Sequence, residues 1–347
     1  MHKSLKFWLA ILVSLILLGI FVSNIDIYKT IEQIAEANYV LIAFSLVAYF
    51  IAVFFRTLRW QYLLSPIKSI SVRILYPIVV VGYMANNILP ARLGEIVRAY
   101  YIGEKEKVSK LSSLATIAVE RVLDGLTLLF FILMASFLLP VLEVVQGMGI
   151  EAGLNWMILS MAMSLPFLVA AGVMLLAAFV PGTLHSIIGY VCILFPDRVR
   201  SRLLSLASVF IDGFAVLRYP RRLISVLILS LPVWLSESVM YYMVGKAFGI
   251  DNYFSEGEFI GVMLLVTAVS NLATAIPAAG GGVGSFEIAS SVTLTILGVD
   301  ADIAAAYIIV LHIALILPVT LLGMVYLWTD RMSVGELISY SSRAGTS

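Results

Sequence analysis

Asn86-Asn87-Ile88-Leu89-Pro90-Ala91-Arg92-Leu93-Gly94-Glu95-Ile96-Val97-Arg98 is the stretch on which the reading of this chain turns. An apolar run over 74–90 stops at Pro90, which has no N–H to donate and leaves backbone acceptors free. The segment beyond the break, 92–104, carries Arg92, Glu95, Arg98 and Glu104, too many charges for a helix that must cross lipid. Arg56, Arg59, Lys68 and Arg73 lie before the run, and Lys105, Lys107 and Lys110 lie after it. A segment basic on both flanks enters and leaves by one face, so 74–104 reads as a re-entrant helical hairpin; two ordinary crossings with a short turn are the alternative. A second stretch has the same form. The apolar run 258–276 ends in Ile276-Pro277-Ala278-Ala279-Gly280-Gly281-Gly282, and a short segment, 285–298, follows.

Composition agrees with a lipid solvent. Of 347 residues 61% are hydrophobic and 12% charged, with a mean hydropathy of +1.04. Soluble domains carry about 25% charged residues, and no core of this length hides so much apolar surface from water. Crossing a bilayer takes ~20 apolar residues. Candidates lie at 5–23, 38–64, 110–140, 155–180, 222–249 and 303–328. The fold class expected is therefore all-α: a polytopic membrane bundle of about six spanning helices plus two re-entrant hairpins. Met1–Lys6 and the apolar run to Val22 mimic a signal peptide, but Val22-Ser23-Asn24 lacks a small-residue cleavage pattern, so a retained signal-anchor helix is expected. Cys192 is alone and His2, His185 and His312 are scattered, which speaks against a disulfide framework, a metal site or any cofactor.

Basic residues orient the spans. Lys3 and Lys6 place the N-terminus in the cytoplasm, and the loop 24–37 with Asp26, Glu32 and Glu36 outside. The next basic clusters return inside, including Arg198, Arg200, Arg202, Arg218, Arg221 and Arg222, while Glu143, Glu151, Asp251, Glu256 and Glu258 fall outside. Asp300 and Asp302 flank the second hairpin, which therefore enters from outside, and the C-terminus ends inside after Arg331 and Arg343. Only Lys29, Arg121 and Lys246 of the 22 Lys and Arg escape this scheme.

The order of elements repeats with inverted polarity. Helix, hairpin and helix over 38–140 (hairpin 74–104) are matched by the same series over 222–328 (hairpin 258–298). Asn87, Pro90, Gly94 and Glu95 align with Asn271, Pro277, Gly284 and Glu287. The chain is read as one transmembrane domain, 1–347, with 1–37 as anchor and external loop, 141–221 as a connection with an amphipathic cytoplasmic helix over 198–217, and 329–347 as a cytoplasmic tail. Inverted repeats with broken helices near the midplane are a recurrent transporter plan. Broken backbone at that depth lines protein or a water-filled cavity.

Ionisable side chains at membrane depth cost ~2.5–3.5 kcal/mol each on insertion, so they are rarely idle. Glu120 and Asp124 share a helix face in Glu120-Arg121-x-x-Asp124 and need a cation between them, for which Arg92, Arg98, Arg56 and Arg59 are the candidates. A structural ion-pair network and a transport role are both open for this group. Around the first break, Arg92 offers a planar fork suited to phosphate, Gly94 lets backbones approach, and a helix starting there aims its amides at an anion. In Gly280-Gly281-Gly282-Val283-Gly284-Ser285-Phe286-Glu287, bare amides precede a helix with Ser285 as a candidate N-cap. No Walker lysine follows, so ATP is rejected, and the glycines serve either an anion or a tight turn. Glu237, Glu287 and His312 form a candidate proton-sensitive set, with a hydrogen-bonded core histidine as the alternative. Trp8, Trp60, Trp234 and Trp328 are read mostly as belt or lipid-facing residues.

Four ordered motifs, Phe55-Arg56-Thr57-Leu58-Arg59-Trp60, Asn87 to Arg98, Glu120-Arg121-x-x-Asp124, and Pro277 through Gly281 and Gly282 to Gly284-Ser285-x-Glu287, resemble the lysylphosphatidylglycerol synthase transmembrane region, a flippase-like family. The resemblance implies an inverted-repeat membrane domain that exposes lipid from one leaflet to the other. It carries over Arg92, Glu95, Arg98, Glu120, Arg121 and Asp124 as motif positions. The soluble aminoacyl-transferase domain of long members is expected to be missing, so lysyl transfer is not carried over. The expectation is a non-enzymatic transporter of a phospholipid or lipid-linked phosphate, with Arg92 and Arg98 attracting the phosphate. A membrane transferase acting on a polyprenyl-phosphate sugar, with Glu120 or Asp124 as base, is the alternative, as is a non-transporting partner of a lipid-modifying enzyme. The partners expected are a lipid with an anionic or phosphate-bearing head group, a lipid-modifying enzyme or a second copy of the chain, and no nucleic acid.

Overall fold

The structure, a computed structural model, describes residues 5–89, 93–151, 153, 155–193, 196–275 and 280–330. Among them are fourteen α-helices and no strand. Pro90, Arg92 and Pro277 lie outside the described residues.

The first helix, α1 (Leu5–Ser23), is apolar on every side, as lipid contact requires. It turns by 85° into α2 (Ile27–Glu36). The segment 24–37 is thus more than a loop. Ile27, Thr30, Ile31 and Ile34 recur at helical spacing inside a polar segment, and the Asp26 carboxylate caps the helix by accepting from the Tyr28 and Lys29 amides. α2 packs against α14 (Ala301–Thr329), where the Asp26 amide donates to Asp302 at 2.9 Å.

The two long helices α3 (Tyr39–Leu64) and α11 (Pro220–Ala247) run along each other through the middle of the molecule. The first hairpin is α4 (Val72–Ile88) and α5 (Gly94–Glu106), and α6 (Lys110–Ala135) follows. The second is α12 (Glu256–Ala273) and α13 (Ser285–Ile296), and α14 follows. α4 packs along α14, and α6 along α12. Between the halves come α7 (Val141–Glu151), α8 (Trp156–Phe179), α9 (Pro181–Cys192) and α10 (Asp197–Gly213), with a 3-10 turn over Phe214–Arg218 completing the helix read at 198–217.

Five described helices, α3, α8, α11, α12 and α14, are long and apolar enough to cross a membrane, and the bent pair α1/α2 raises this to six. This is a multi-pass membrane protein. α6 is as long as α3, at 26 residues, but holds Glu120, Arg121 and Asp124 at mid-length, so its charged face needs protein rather than lipid around it. Glycine sets the close backbone contact of the first hairpin. A Cβ placed on Gly94 would stand 2.1 Å from the Gly82 carbonyl oxygen, so α4 and α5 close only over a hydrogen atom. At the far end of the hairpin, Asp330 accepts from Lys105 at 2.7 Å and from the Tyr101 hydroxyl. Partial burial opposes the Asp330 charge, but these two donors hold its carboxyl below the usual carboxylate range.

Candidate functional site

Three apolar-sided helices bring their few charges to one place. α3 contributes Arg56 and Arg59, α6 contributes Glu120, Arg121 and Asp124, and α11 contributes Glu237. The hairpin helix α5 adds Glu95 and Arg98. Four arginines thus face four carboxylates, and burial without this matching would be prohibitive.

One part of the network is sealed. Arg59 is fully buried; it donates to Asp124 Oδ1 at 2.8 Å and to Ser230 at 2.9 Å, with Glu120 at 3.8 Å. Arg98 reaches the other oxygen of Glu120 at 2.7 Å and lies 3.6 Å over the Trp60 ring. Trp60 in turn donates to Thr116 at 3.1 Å. Arg59, Arg98 and Glu120 do not line the central cavity; they tie α3, α5, α6 and α11 together.

The other part opens onto a cavity of about 370 Å³. Both hairpin breaks border it: Tyr83, Asn86, Asn87 and Glu95 from the first, and Asn271, Thr274, Gly281 and Gly282 from the second. A Cβ on Gly281 would lie 3.9 Å from the Asn87 side-chain oxygen, so the two breaks are nearly in contact. Gly281, Gly282 and Gly284 all hold positive φ (76°, 77° and 95°), which only glycine adopts without strain. Arg56 donates to Glu237 and, at 3.0 Å, to the Tyr83 hydroxyl, and stacks 4.5 Å over Trp234. Glu237 also accepts from Asn271 at 3.2 Å. Trp234 donates to Asp124 at 2.9 Å, while Arg121 lies 3.1 Å from Asp124 and 3.6 Å from Glu95. Asn87 donates to Thr320 at 3.0 Å, tying the first break to α14.

A histidine closes the second break. His312 Nδ1 lies 2.5 Å from Glu287 and Nε2 lies 3.1 Å from the Gly281 carbonyl, with the ring stacked on Phe286 at 4.2 Å. The other oxygen of Glu287 accepts the Gly284 amide at 2.6 Å. The candidate set of Glu237, Glu287 and His312 therefore divides, since Glu237 belongs with Arg56. Ser285 does not cap α13: Gly284 holds the cap position, and the Ser285 hydroxyl donates to the Gly282 carbonyl at 3.0 Å.

Two of the tryptophans expected at the lipid face are buried. Trp60 and Trp234 are 0% and 3% exposed because each stacks with an arginine and donates to a buried oxygen, whereas Trp328 is 82% exposed. Position along the span says nothing of which side a ring faces. Their adjacency to the buried charges of α3 and α11 was the available signal.

Comparison with known proteins places the chain in a family. Residues 7–323 match the model of the lysylphosphatidylglycerol synthase TM region, and the protein belongs to that family. It is similar to the glycosyltransferase AglD of Haloferax volcanii, 24% identical over 90% of this chain but only 52% of AglD, so the chain spans about half that relative's length. It is also similar to two UPF0104 membrane proteins of Methanothermobacter thermautotrophicus. One is 27% identical over 80% of each chain, the other 25% identical over 86% of each. No solved structure gives a significant match.

Proposed function

We propose that the protein is a flippase-like transporter of the cytoplasmic membrane, which passes the head group of a phospholipid or lipid-linked phosphate through the central cavity while the chains stay in lipid. The observation that carries this reading is the convergence of both hairpin breaks on one cavity lined by paired charges. Fixed charges and dipoles there replace the water that a head group loses on leaving the interface.

The packing supports an inverted repeat as the frame. Exchanging α3, α4, α5 and α6 for α11, α12, α13 and α14 turns the α4/α14 contact into α12/α6, α4/α5 into α12/α13, and α5/α6 into α13/α14, all of which occur. The α3/α11 contact maps onto itself. With both termini in the cytoplasm, the two hairpins are re-entrant from opposite faces, and either half can rock against the other around the fixed cavity.

A membrane transferase is the second reading, favoured by the likeness to the glycosyltransferase AglD. Against it, Asp124 and Glu120 are each held by arginines rather than free to take a proton. Purified protein in proteoliposomes with a head-labelled phospholipid separates the readings: a flippase returns its lipid chemically unaltered. Arg121→Gln, which lines the cavity and is partly exposed, is expected to lower translocation on the order of tenfold, about the value of one charge-assisted contact. Translocation by this variant at the wild-type rate, or an altered lipid product, contradicts the proposal.

A further inference from the structure

The cavity is richer in hydrogen-bond acceptors and aromatic faces than a bare phosphate needs. Glu95 Oε1 and Asp124 Oδ2 are buried and receive no hydrogen bond, although Arg121 stands near both. The amide N–H groups of Asn87 and Asn271 are taken by Thr320 and by Glu237 and Tyr241, which leaves their carbonyl oxygens as acceptors. On the donor side Arg121 Nε is buried without an acceptor. A phosphate only accepts, so it satisfies Arg121 and none of the carboxylates. Hydroxyl groups both donate and accept. The rings of Tyr49, Tyr83, Phe167, Trp234 and Phe286 also border the space. Their electron-rich faces suit the weakly positive C–H face of a sugar ring. The four arginines are matched by four carboxylates, so charge alone does not favour a bare phosphate over one that carries a sugar. Its 370 Å³ sits near the lower end of ligand pockets (roughly 300–1,000 Å³). That is room for a head group of one or two rings and not for its chains.

We propose that the head group this cavity accepts is a sugar joined through phosphate to a lipid, with Glu95 and Asp124 accepting hydrogen bonds from its hydroxyl groups, Arg121 donating to the phosphate and the aromatic rings meeting the sugar face. This rests on the cavity being the passage for a head group. The test uses the full chain in proteoliposomes and three labelled probes: a polyprenyl phosphoglucose, the same polyprenyl phosphate without sugar, and free glucose 1-phosphate. The sugar-bearing lipid is expected to cross at least ~10-fold faster than the bare lipid phosphate, as a site built around hydrogen-bonding groups rejects analogues that lack them. Free glucose 1-phosphate is expected to stay outside. Equal rates for the two lipids overturn the sugar assignment and leave the flippase reading standing. Uptake of free glucose 1-phosphate at the lipid's rate overturns the lipid-linked source. Neither lipid crossing faster than in protein-free vesicles overturns both readings together.

Discussion

Arg59→Ala is expected to destabilise the protein by about 3–5 kcal/mol, enough to lose most of the folded material from the membrane, because it leaves the four carboxylates of the network facing three arginines. Asp124 loses a 2.8 Å partner, Glu120 loses its neighbour at 3.8 Å, and Ser230 loses the guanidinium at 2.9 Å. Thermal unfolding in detergent, followed by loss of monodisperse protein, reads the effect. Arg59→Met with Asp124→Leu should recover part of the loss, since replacing a buried pair whole costs less than breaking it, and a double-mutant cycle measures the coupling. The pair Lys68–Glu106 has the same 2.8 Å separation, but the lysine side chain is 47% exposed. Lys68→Ala should therefore cost no more than ~1 kcal/mol. Equal losses from the two arginine and lysine substitutions would deny the sealed network its structural role.

Gly94→Ala is expected to open the first hairpin. Its methyl group would stand 2.1 Å from the Gly82 carbonyl oxygen and 2.6 Å from the Asn86 amide nitrogen. Both are backbone, so neither swings away, and α4 and α5 must separate along their length. Overpacking of this kind costs about 1–3 kcal/mol, more where backbone must move. The displacement also pulls Glu95 from Arg121 and Asn86 from the cavity wall, so translocation should fall further than stability does. Gly172→Ala in α8 meets nothing within 4 Å and is the matched control, expected to leave both unchanged or to gain slightly in helix propensity. Wild-type behaviour of Gly94→Ala would mean that the helices do not approach as described.

Much of this architecture was legible in the sequence because lipid makes its rules strict. A proline that closes the run 74–90, or a run of glycines after 258–276, interrupts a helix, and α4 and α12 end within a few residues of Pro90 and Pro277. Glu120 and Asp124 had to meet cations, and of the three candidates among the described residues (Arg56, Arg59 and Arg98) Arg59 and Arg98 are the ones found on them. What sequence left hidden is tertiary. Arg56 and Glu237 are 181 residues apart, and nothing local to either predicts the pairing. Arg56 and Arg59 sit three residues apart on α3, yet one borders the cavity and the other is sealed behind it. That division depends on where α6 and α11 cross α3, and no periodicity within α3 contains it. α2 is not evident in the sequence because ten residues with polar flanks look like a loop until α14 supplies a surface to pack on, with Thr30 buried and Ile34 partly so.

The central claim is that the two breaks share one interior cavity rather than forming separate loops on opposite surfaces. With Cys192→Ser as background, single cysteines at Asn87 and Thr274 can be titrated with a membrane-impermeant maleimide added to either face of oriented proteoliposomes. Both positions should react from one common face or from neither, and a head group that occupies the cavity should protect both. Rapid labelling of Asn87 from one side and Thr274 from the other, at the rate of a free thiol in water, would contradict the account.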